Sequence, residues 1–208
     1  MNVRIKICGI TRYEDAKTAV NLGVDALGFI FFEKSSRYVT VEQARAIIRK
    51  LPPFVSRVGV FVDQESSLIN EIAAFTGIDT VQLHGSETPE YCSEINLPVI
   101  KAFSVRQDSD IAVLSTYKTA GYLLDTWRKD MFGGTGATFD WSIAKRACST
   151  HDNVIIAGGL GPSNIIEALQ AAHPYGVDLN SGVEIRPGEK NPHKMRDVIN
   201  LIRKWKPS

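Results

Sequence analysis

Short runs of β-branched and apolar residues alternate with amphipathic helical segments along the chain, and this alternation constrains the fold most. Eight runs predict strands, at Val3–Cys8, Ala26–Phe31, Ser56–Val62, Thr80–Leu83, Val99–Phe103, Gly121–Asp125, Val154–Ala157 and Gly176–Leu179. Helical patterns follow them, at Tyr13–Asn21, Val41–Lys50, Ser66–Phe75, Pro89–Glu94, Asp108–Tyr117, Trp141–Ala147, Ser163–Ala171 and Pro192–Lys204. Because neighbouring parallel strands need a crossover, usually a helix, this order predicts a parallel sheet.

Eight strand–helix units favour closure of the sheet into a (β/α)8 TIM barrel, which belongs to the α/β class. The main alternative is an open doubly wound sheet, but no GxGxxG turn follows the first strand. The chain has 208 residues, near the lower end of the usual barrel size. No linker or low-complexity segment interrupts it, so we expect a single barrel domain over residues 1–208.

The composition is that of an ordinary globular protein, and its balanced charge gives no strong positive electrostatic potential that would attract a polyanion. Lys and Arg number 24 against 23 Asp and Glu, which gives a net charge of +1 and argues against nucleic acid or an anionic membrane as partner. Three widely spaced cysteines, Cys8, Cys92 and Cys148, fit a reducing compartment rather than a disulfide framework. With no apolar run of membrane-spanning length and no signal peptide, we expect a cytoplasmic protein.

Two glycine-containing turns follow the last two predicted strands and predict a phosphate site. Gly158 and Gly159 end the seventh strand, and Ser181 and Gly182 come shortly after the eighth. In barrels of this kind, the loops at these positions commonly bind phosphate, because glycines let backbone N–H groups approach the anion. Asp178, within the eighth strand, either anchors a substrate hydroxyl or satisfies polar groups of the barrel interior.

Catalytic groups in such barrels stand at the C-terminal ends of the strands, and those ends select Cys8, Arg37, His84 and Asp125. Arg37 would suit a phosphate or carboxylate, and His84 would orient the substrate. Each residue also has an ordinary interpretation: a buried hydrophobe for the cysteine, a surface cation for the arginine, a structural imidazole for the histidine and a loop cap for the aspartate. No other His or carboxylate has ligand-like spacing to His84, so no metal is predicted.

Cys8 is the candidate base. With period two, Arg4, Lys6 and Cys8 share the face of the first strand that should point into the barrel. A nearby cation would lower the pKa of the thiol and favour the thiolate. Cys92 and Cys148 lie in helical patterns and are assigned to packing.

Asp125 is the candidate acid. It follows an apolar run and precedes Thr126–Thr138, a segment that contains three glycines. This segment is either a mobile lid or an ordinary surface loop. A carboxyl flanked by apolar residues under a lid would have a raised pKa and suit a general acid.

Seven motifs occur in an order that resembles one known family. They are Lys6–Gly9, Ser35–Val39, Val58–Phe61, Val81–Gly85, Leu124–Asp125, Gly133–Gly136 and Ser181–Glu184. The chain resembles the N-(5'-phosphoribosyl)anthranilate isomerases of tryptophan biosynthesis from Ile5 to about Trp205. This resemblance implies an aldose–ketose isomerase that needs no cofactor or metal and acts on a phosphorylated aminoaldose.

The resemblance also implies roles for individual residues. Asp125 would be the general acid that opens the sugar ring, and Cys8 the general base that removes the proton from C2 in an Amadori rearrangement. Arg37 would contact the anthranilate carboxylate, while the Gly158–Gly159 and Ser181–Gly182 backbones would hold the phosphate. Family members occur as monomers, dimers and fused domains, and we expect this chain to be a monomer or a homodimer.

Two other classes stay open at this point. One is a different enzyme on a phosphate-binding barrel, such as an indole-forming lyase or a metal-dependent epimerase, although the Lys/Glu or His/Asp sets that these need are not found. The other is a barrel that binds phosphate without catalysis, which fold alone does not exclude.

Overall fold

The computed structural model describes residues 2–125 and 141–207, and these form a closed, all-parallel barrel of eight strands. The strands are β1 Arg4–Ile7, β2 Ala26–Ile30, β3 Ser56–Phe61, β4 Thr80–Leu83, β5 Val99–Ser104, β6 Gly121–Asp125, β7 Val154–Ala157 and β8 Gly176–Leu179. Parallel pairing of β1 with β8 closes the sheet. The (β/α)8 prediction is confirmed, and each predicted strand ends within one residue of the observed one.

Eight α-helices of the described ranges alternate with these strands. They are α1 Tyr13–Asn21, α2 Val41–Ile48, α3 Ser66–Thr76, α4 Pro89–Cys92, α5 Ser109–Ala112, α6 Trp141–Thr150, α7 Ile165–Ala172 and α8 Pro192–Lys204. The sequence of α2 explains where it begins: Thr40 Oγ1 accepts a hydrogen bond from Gln43 N, and Gln43 Oε1 accepts one from Thr40 N. Gly23 takes a φ of +79° just after α1, as a C-terminal glycine does.

The connection between β8 and α8 holds structure that the alternation did not predict. A 3₁₀ turn at Ser181–Val183 leads into a two-stranded antiparallel hairpin of β9 Glu184–Arg186 and β10 Glu189–Lys190. Strands of three and two residues are too short for a hydrophobic period to reveal them. The hairpin matters because it brings Glu184 and Lys190 to the end of the barrel where the strands terminate.

Strand parity divides the barrel wall into an outer apolar layer and a mixed interior. Ile5 and Ile7 are fully buried in the outer layer, which packs against the helices. On the inside, one apolar group is Ile100, Ala102, Leu123, Ile155 and Ala157. The rest of the interior includes the buried polar side chains Lys6, Gln82 and Asp178. Lys6 donates hydrogen bonds to both Gln82 and Asp178.

Candidate active site

A cavity of about 360 Å³ opens at the C-terminal ends of the strands. It is lined by Cys8, Ile30, Arg37, Val60, Gln82, His84, Asp125, Ala157, Gly158, Gly159, Asp178, Asn180 and Ser181. Eight of the nine residues that the sequence selected therefore meet in one place. The ninth, Gly182, does not line the cavity and has another role, given below.

Cys8 follows β1 and is buried at one side of this cavity. A Cβ on Gly28 of β2 would lie only 2.8 Å from Cys8 Sγ, so the missing side chain makes room for the sulfur. Burial raises the pKa of the Cys8 thiol, and the Asp178 carboxylate raises it further, while Lys6 and Lys190 oppose both effects. The prediction of a lowered pKa is wrong, because desolvation and the carboxylate outweigh the two cations.

Lys6 and Asp178 form a buried ion pair beneath Cys8. Lys6 Nζ donates to Asp178 Oδ2 at 2.8 Å and to Gln82 Oε1 at 2.9 Å. Although burial alone would lower the pKa of Lys6, the Asp178 carboxylate keeps it raised, so the ammonium is retained. Asp178 Oδ1 is also buried but has no hydrogen-bond partner in the part of the chain that the structure describes. A desolvated carboxylate oxygen without a donor is costly, and it is well suited to receive a ligand hydroxyl.

Arg37 follows β2, and its guanidinium is held by the β9 residue Glu184. Arg37 Nε lies 2.9 Å from Glu184 Oε1, and Nη2 lies 2.6 Å from Oε2, a two-point pairing. Lys190 Nζ donates to the same Glu184 at 2.8 Å and to Asn180 Oδ1 at 3.0 Å. A Cβ on Gly9 would lie 2.7 Å from Arg37 Cδ and 2.8 Å from Asn180 Oδ1, so only glycine leaves these side chains their space. The arginine is therefore a positioned cation, not a loose surface one.

His84 and Asp125, at the ends of β4 and β6, lie next to each other in the cavity wall. His84 Nε2 lies 3.4 Å from Asp125 Oδ2, and both side chains are partly exposed. On its other side, His84 Nδ1 lies 3.1 Å from Gln82 Nε2. The buried Glu87 accepts hydrogen bonds from Gly85 N and is paired with Lys101, which anchors the loop that carries the imidazole.

The two glycine turns form another part of the cavity wall. Gly158 and Gly159 take φ values of +99° and +68°, a left-handed backbone that glycine adopts at low cost. Within the described ranges, neither of their backbone N–H groups donates to another residue. Ser181 begins the 3₁₀ turn beside them. We call the turns at Gly158–Gly159 and Ser181–Gly182 the anion cradle, because backbone N–H groups on glycine turns of this kind suit an anion.

Gly182 does not line the cavity, and packing requires a glycine at its position. A Cβ at this position would lie 2.0 Å from the backbone oxygen of Leu160 and 3.1 Å from Gly161 Cα. Its bare backbone lets the turn after β8 lie against the turn after β7. The two halves of the anion cradle are thereby held together.

Three side chains that organise the cavity were not selected from the sequence. Gln82 lies two residues before His84, so strand alternation, which puts both on the inner face, was a readable signal. Asn180 and Glu184 flank the Ser181 turn, but their partners Arg37 and Lys190 are set by the tertiary fold. No local pattern identifies those pairings.

Two further predictions concern a lid and a metal. The proposed lid, Thr126–Thr138, lies outside the described residues. Among residues 2–125 and 141–207, no group of three or more His, Cys, Asp or Glu side chains is arranged to hold a metal ion.

Comparison with known proteins identifies the family of this barrel. The model of the family described as N-(5'phosphoribosyl)anthranilate (PRA) isomerase matches residues 5–201. A relative of that name from Pelobacter propionicus is 47% identical over 201 residues, which cover 97% of this chain and 96% of the relative. One from Geobacter metallireducens is 50% identical over 197 residues, covering 95% and 97%.

Solved structures agree with the sequence comparisons. The phosphoribosyl anthranilate isomerase of Thermotoga maritima superposes with a TM-score of 0.91 at 41% identity, covering 98% of this chain and all of that one. A phosphoribosyl anthranilate isomerase in complex with reduced 1-(o-carboxyphenylamino)-1-deoxyribulose 5-phosphate gives a TM-score of 0.89 at 40% identity, with the same coverage. The resemblance that the ordered motifs indicated is confirmed: this chain belongs to the N-(5'-phosphoribosyl)anthranilate isomerase family.

Proposed function

We propose that this chain converts N-(5-phosphoribosyl)anthranilate into 1-(2-carboxyphenylamino)-1-deoxyribulose 5-phosphate, an Amadori rearrangement in tryptophan biosynthesis. Asp125 is the general acid and Cys8 the general base. The observation that carries this proposal is that both groups line one cavity together with Gly158, Gly159 and Ser181 of the anion cradle. A single phosphorylated sugar can then meet acid, base and cradle together.

The first step is ring opening. Asp125 donates a proton to the furanose oxygen, the bond from that oxygen to C1 breaks, and the nitrogen lone pair forms the C1=N bond of a protonated Schiff base. A carboxyl group suits this step because proton delivery to a leaving oxygen lowers the barrier. The position of Asp125 at the end of β6, beside His84, supports the assignment.

The second step is removal of the C2 proton. Cys8 in its thiolate form takes that proton, the C2–H electron pair becomes the C1=C2 bond, and the C1=N electrons return to nitrogen. The resulting enolamine then tautomerises to the ketone. Because the pKa of Cys8 is raised in the substrate-free protein, the thiolate is a minority form, and Lys6 and Lys190 are the cations that favour it.

The two ends of the substrate have distinct partners. The backbones of Gly158, Gly159 and Ser181 suit the phosphate. Arg37 suits the anthranilate carboxylate through the N–H groups of Nη1 and Nη2 that Glu184 does not use. The buried Asp178 Oδ1, which lacks a described donor, suits a sugar hydroxyl.

A fluorescence assay with purified protein tests this function. The anilino fluorescence of phosphoribosylanthranilate should fall on addition of enzyme, while the product keeps the substrate's mass and gains a ketone that borohydride reduces. A change of mass would indicate a lyase. A product that keeps the mass, contains no ketone and differs from the substrate by inversion at one carbon would indicate an epimerase. Binding of substrate without any loss would indicate a barrel that only binds phosphate.

Compartment and assembly are part of the same proposal. The three cysteines form no disulfide, which supports a reducing, cytoplasmic environment. No helix of the described ranges is long and apolar enough to cross a bilayer. One of the related structures is described as monomers generated from a dimeric isomerase, and we expect this chain to be a monomer or a homodimer, which sedimentation velocity distinguishes.

A further inference from the structure

A line of polar side chains crosses the barrel from the buried ion pair to the candidate acid. Lys6 Nζ donates to Asp178 Oδ2 and to Gln82 Oε1, Gln82 Nε2 lies 3.1 Å from His84 Nδ1, and His84 Nε2 lies 3.4 Å from Asp125 Oδ2. Lys6, Gln82 and Asp178 are more than nine-tenths buried. The line joins strands β8, β1, β4 and β6, so its members are brought together only by barrel closure.

The donor and acceptor roles along this line follow from Lys6. An ammonium group has only donors, so the Gln82 atom facing it must be the carbonyl oxygen. The amide NH₂ of Gln82 must then face His84 Nδ1 as a donor. A ring nitrogen that accepts a hydrogen bond carries no proton, and the proton of a neutral imidazole therefore lies on Nε2. That N–H is the group directed at Asp125.

We propose that Lys6, acting through Gln82, is a positioning residue that holds His84 as the neutral Nε2–H tautomer beside Asp125. An imidazolium at this distance would strongly favour the carboxylate form of Asp125 and weaken it as an acid. The amide N–H of Gln82 points at Nδ1, so this nitrogen acts as the acceptor of that hydrogen bond. For its catalytic consequence, this inference rests on the proposed role of Asp125 as general acid; the tautomer itself does not.

Charged and titratable groups from several elements surround His84. The titratable or charged side chains that share its cavity, among the described residues, are Cys8, Arg37, Asp125 and Asp178. Asp63 and Glu87 accept from backbone N–H groups of the loop that follows His84, and Lys101 pairs with Glu87. Among residues 2–125 and 141–207, Gln82 alone contacts Nδ1, so it is the group whose chemistry sets the tautomer.

Nitrogen NMR of the substrate-free protein tests the tautomer directly. With ¹⁵N-histidine labelling and assignment by loss of the signal in His84→Gln, we expect a pyridine-like Nδ1 and a pyrrole-like Nε2 at pH 7. The variant Gln82→Glu keeps the shape but replaces the amide donor with a carboxylate, which can only accept. We expect the carboxylate to hold a proton on Nδ1, so that both ring nitrogens of His84 are protonated beside Asp125. The matched control is Gln170→Glu, the same change at an exposed position of α7.

The activity of Gln82→Glu tests the catalytic consequence. A cationic His84 should lower kcat/KM by about tenfold or more and move the alkaline limb of the pH profile to lower pH, since Asp125 then ionises earlier. A wild-type Nδ1–H tautomer, a cation at pH 7, or an unchanged His84 in Gln82→Glu would overturn the tautomer assignment. An altered His84 with an unaltered pH profile would overturn its catalytic consequence.

The experiment separates this inference from the proposed function. A wild-type protein that does not isomerise the substrate but shows the expected Nε2–H tautomer would contradict the function alone. If Gln82→Glu does not fold, Gln82→Met removes the amide donor without adding charge. In that variant the Nδ1–H tautomer should become populated, and an unchanged tautomer would again overturn the assignment.

Discussion

Aspartates at the two ends of the barrel serve different purposes, and their hydrogen bonds reveal which. At the N-terminal end, Asp25 accepts from Arg4 Nη1 at 2.7 Å, from Ile5 N at 2.8 Å and from Arg203 Nη2 at 3.2 Å. Both of its oxygens are satisfied by the protein. At the C-terminal end, Asp178 Oδ1 is buried without a described partner.

The contrast teaches how to tell a structural carboxylate from a functional one in the same fold. A group whose acceptors are all used by its own chain contributes to stability, whereas a buried acceptor that the chain leaves without a donor is a candidate for contact with a ligand. Substitutions of the side chains that line the cavity should therefore change turnover and leave stability nearly intact. Substitutions at the N-terminal end should do the reverse.

The largest effect is expected for Asp125→Asn. The amide cannot donate an acidic proton to the ring oxygen, so kcat should fall by roughly 10²- to 10⁴-fold. Binding of a reduced product analogue, measured by calorimetry, should change little, because the cradle and Arg37 are untouched. Wild-type rates in this variant would end the general-acid assignment.

The second largest loss of kcat is expected for Cys8→Ala. Without the thiolate, removal of the C2 proton loses its base, and kcat should fall by about 10²-fold or more. Its matched control is Cys92→Ala, which also removes a buried thiol but lies in α4 away from the cavity. If the two variants turn over equally, Cys8 is a packing residue.

Gly182→Ala should affect both stability and activity, because Gly182 packs the turns after β7 and β8 against each other. The new methyl group collides with the Leu160 backbone, so the turns after β7 and β8 must separate. We expect a loss of about 1–3 kcal/mol in unfolding free energy by urea titration and an increased KM. Gly159→Ala, where a Cβ meets open space but φ is positive, should cost less, and equal losses would contradict the packing role of Gly182.

Asp178→Asn should lower the pKa of Cys8. The carboxylate raises that pKa in the wild type, and its removal leaves Lys6 as an uncompensated cation nearby. The thiolate should therefore form at lower pH, which thiolate absorbance reports when the signal of Cys8→Ala is subtracted. If the midpoint of the thiolate titration is unchanged or higher, the Asp178 carboxylate does not raise the pKa of Cys8.

The smallest effect on activity is expected for Asp25→Asn at the N-terminal end. Weakening the contacts to Arg4 and Arg203 should lower the unfolding free energy by about 1 kcal/mol, a modest value because the pairs are partly exposed. Thermal unfolding and the fluorescence assay measure the two quantities together. A tenfold loss of kcat/KM at unchanged stability would break the distinction between the two ends.

Much of the fold was predictable because its causes are local. The alternation of strand and helix patterns, the capping box at Thr40 and the glycine after α1 each depend on a few neighbouring residues. The short hairpin between β8 and α8 was not predictable, since five strand residues carry no usable period. The strand ends also selected the residues that line the cavity, because barrel topology brings every strand's C-terminal end to one face.

By itself, then, the order of apolar and polar residues determined the barrel, the face on which chemistry occurs and the side chains that point to it. Only the tertiary structure decided their protonation and pairing. Lys6 meets Gln82 and Asp178 across 76 and 172 residues of chain. The pKa of Cys8 rises because closure of the sheet buries it beside a carboxylate. Desolvation and charge–charge distances are properties of the closed barrel, and no local pattern encodes them.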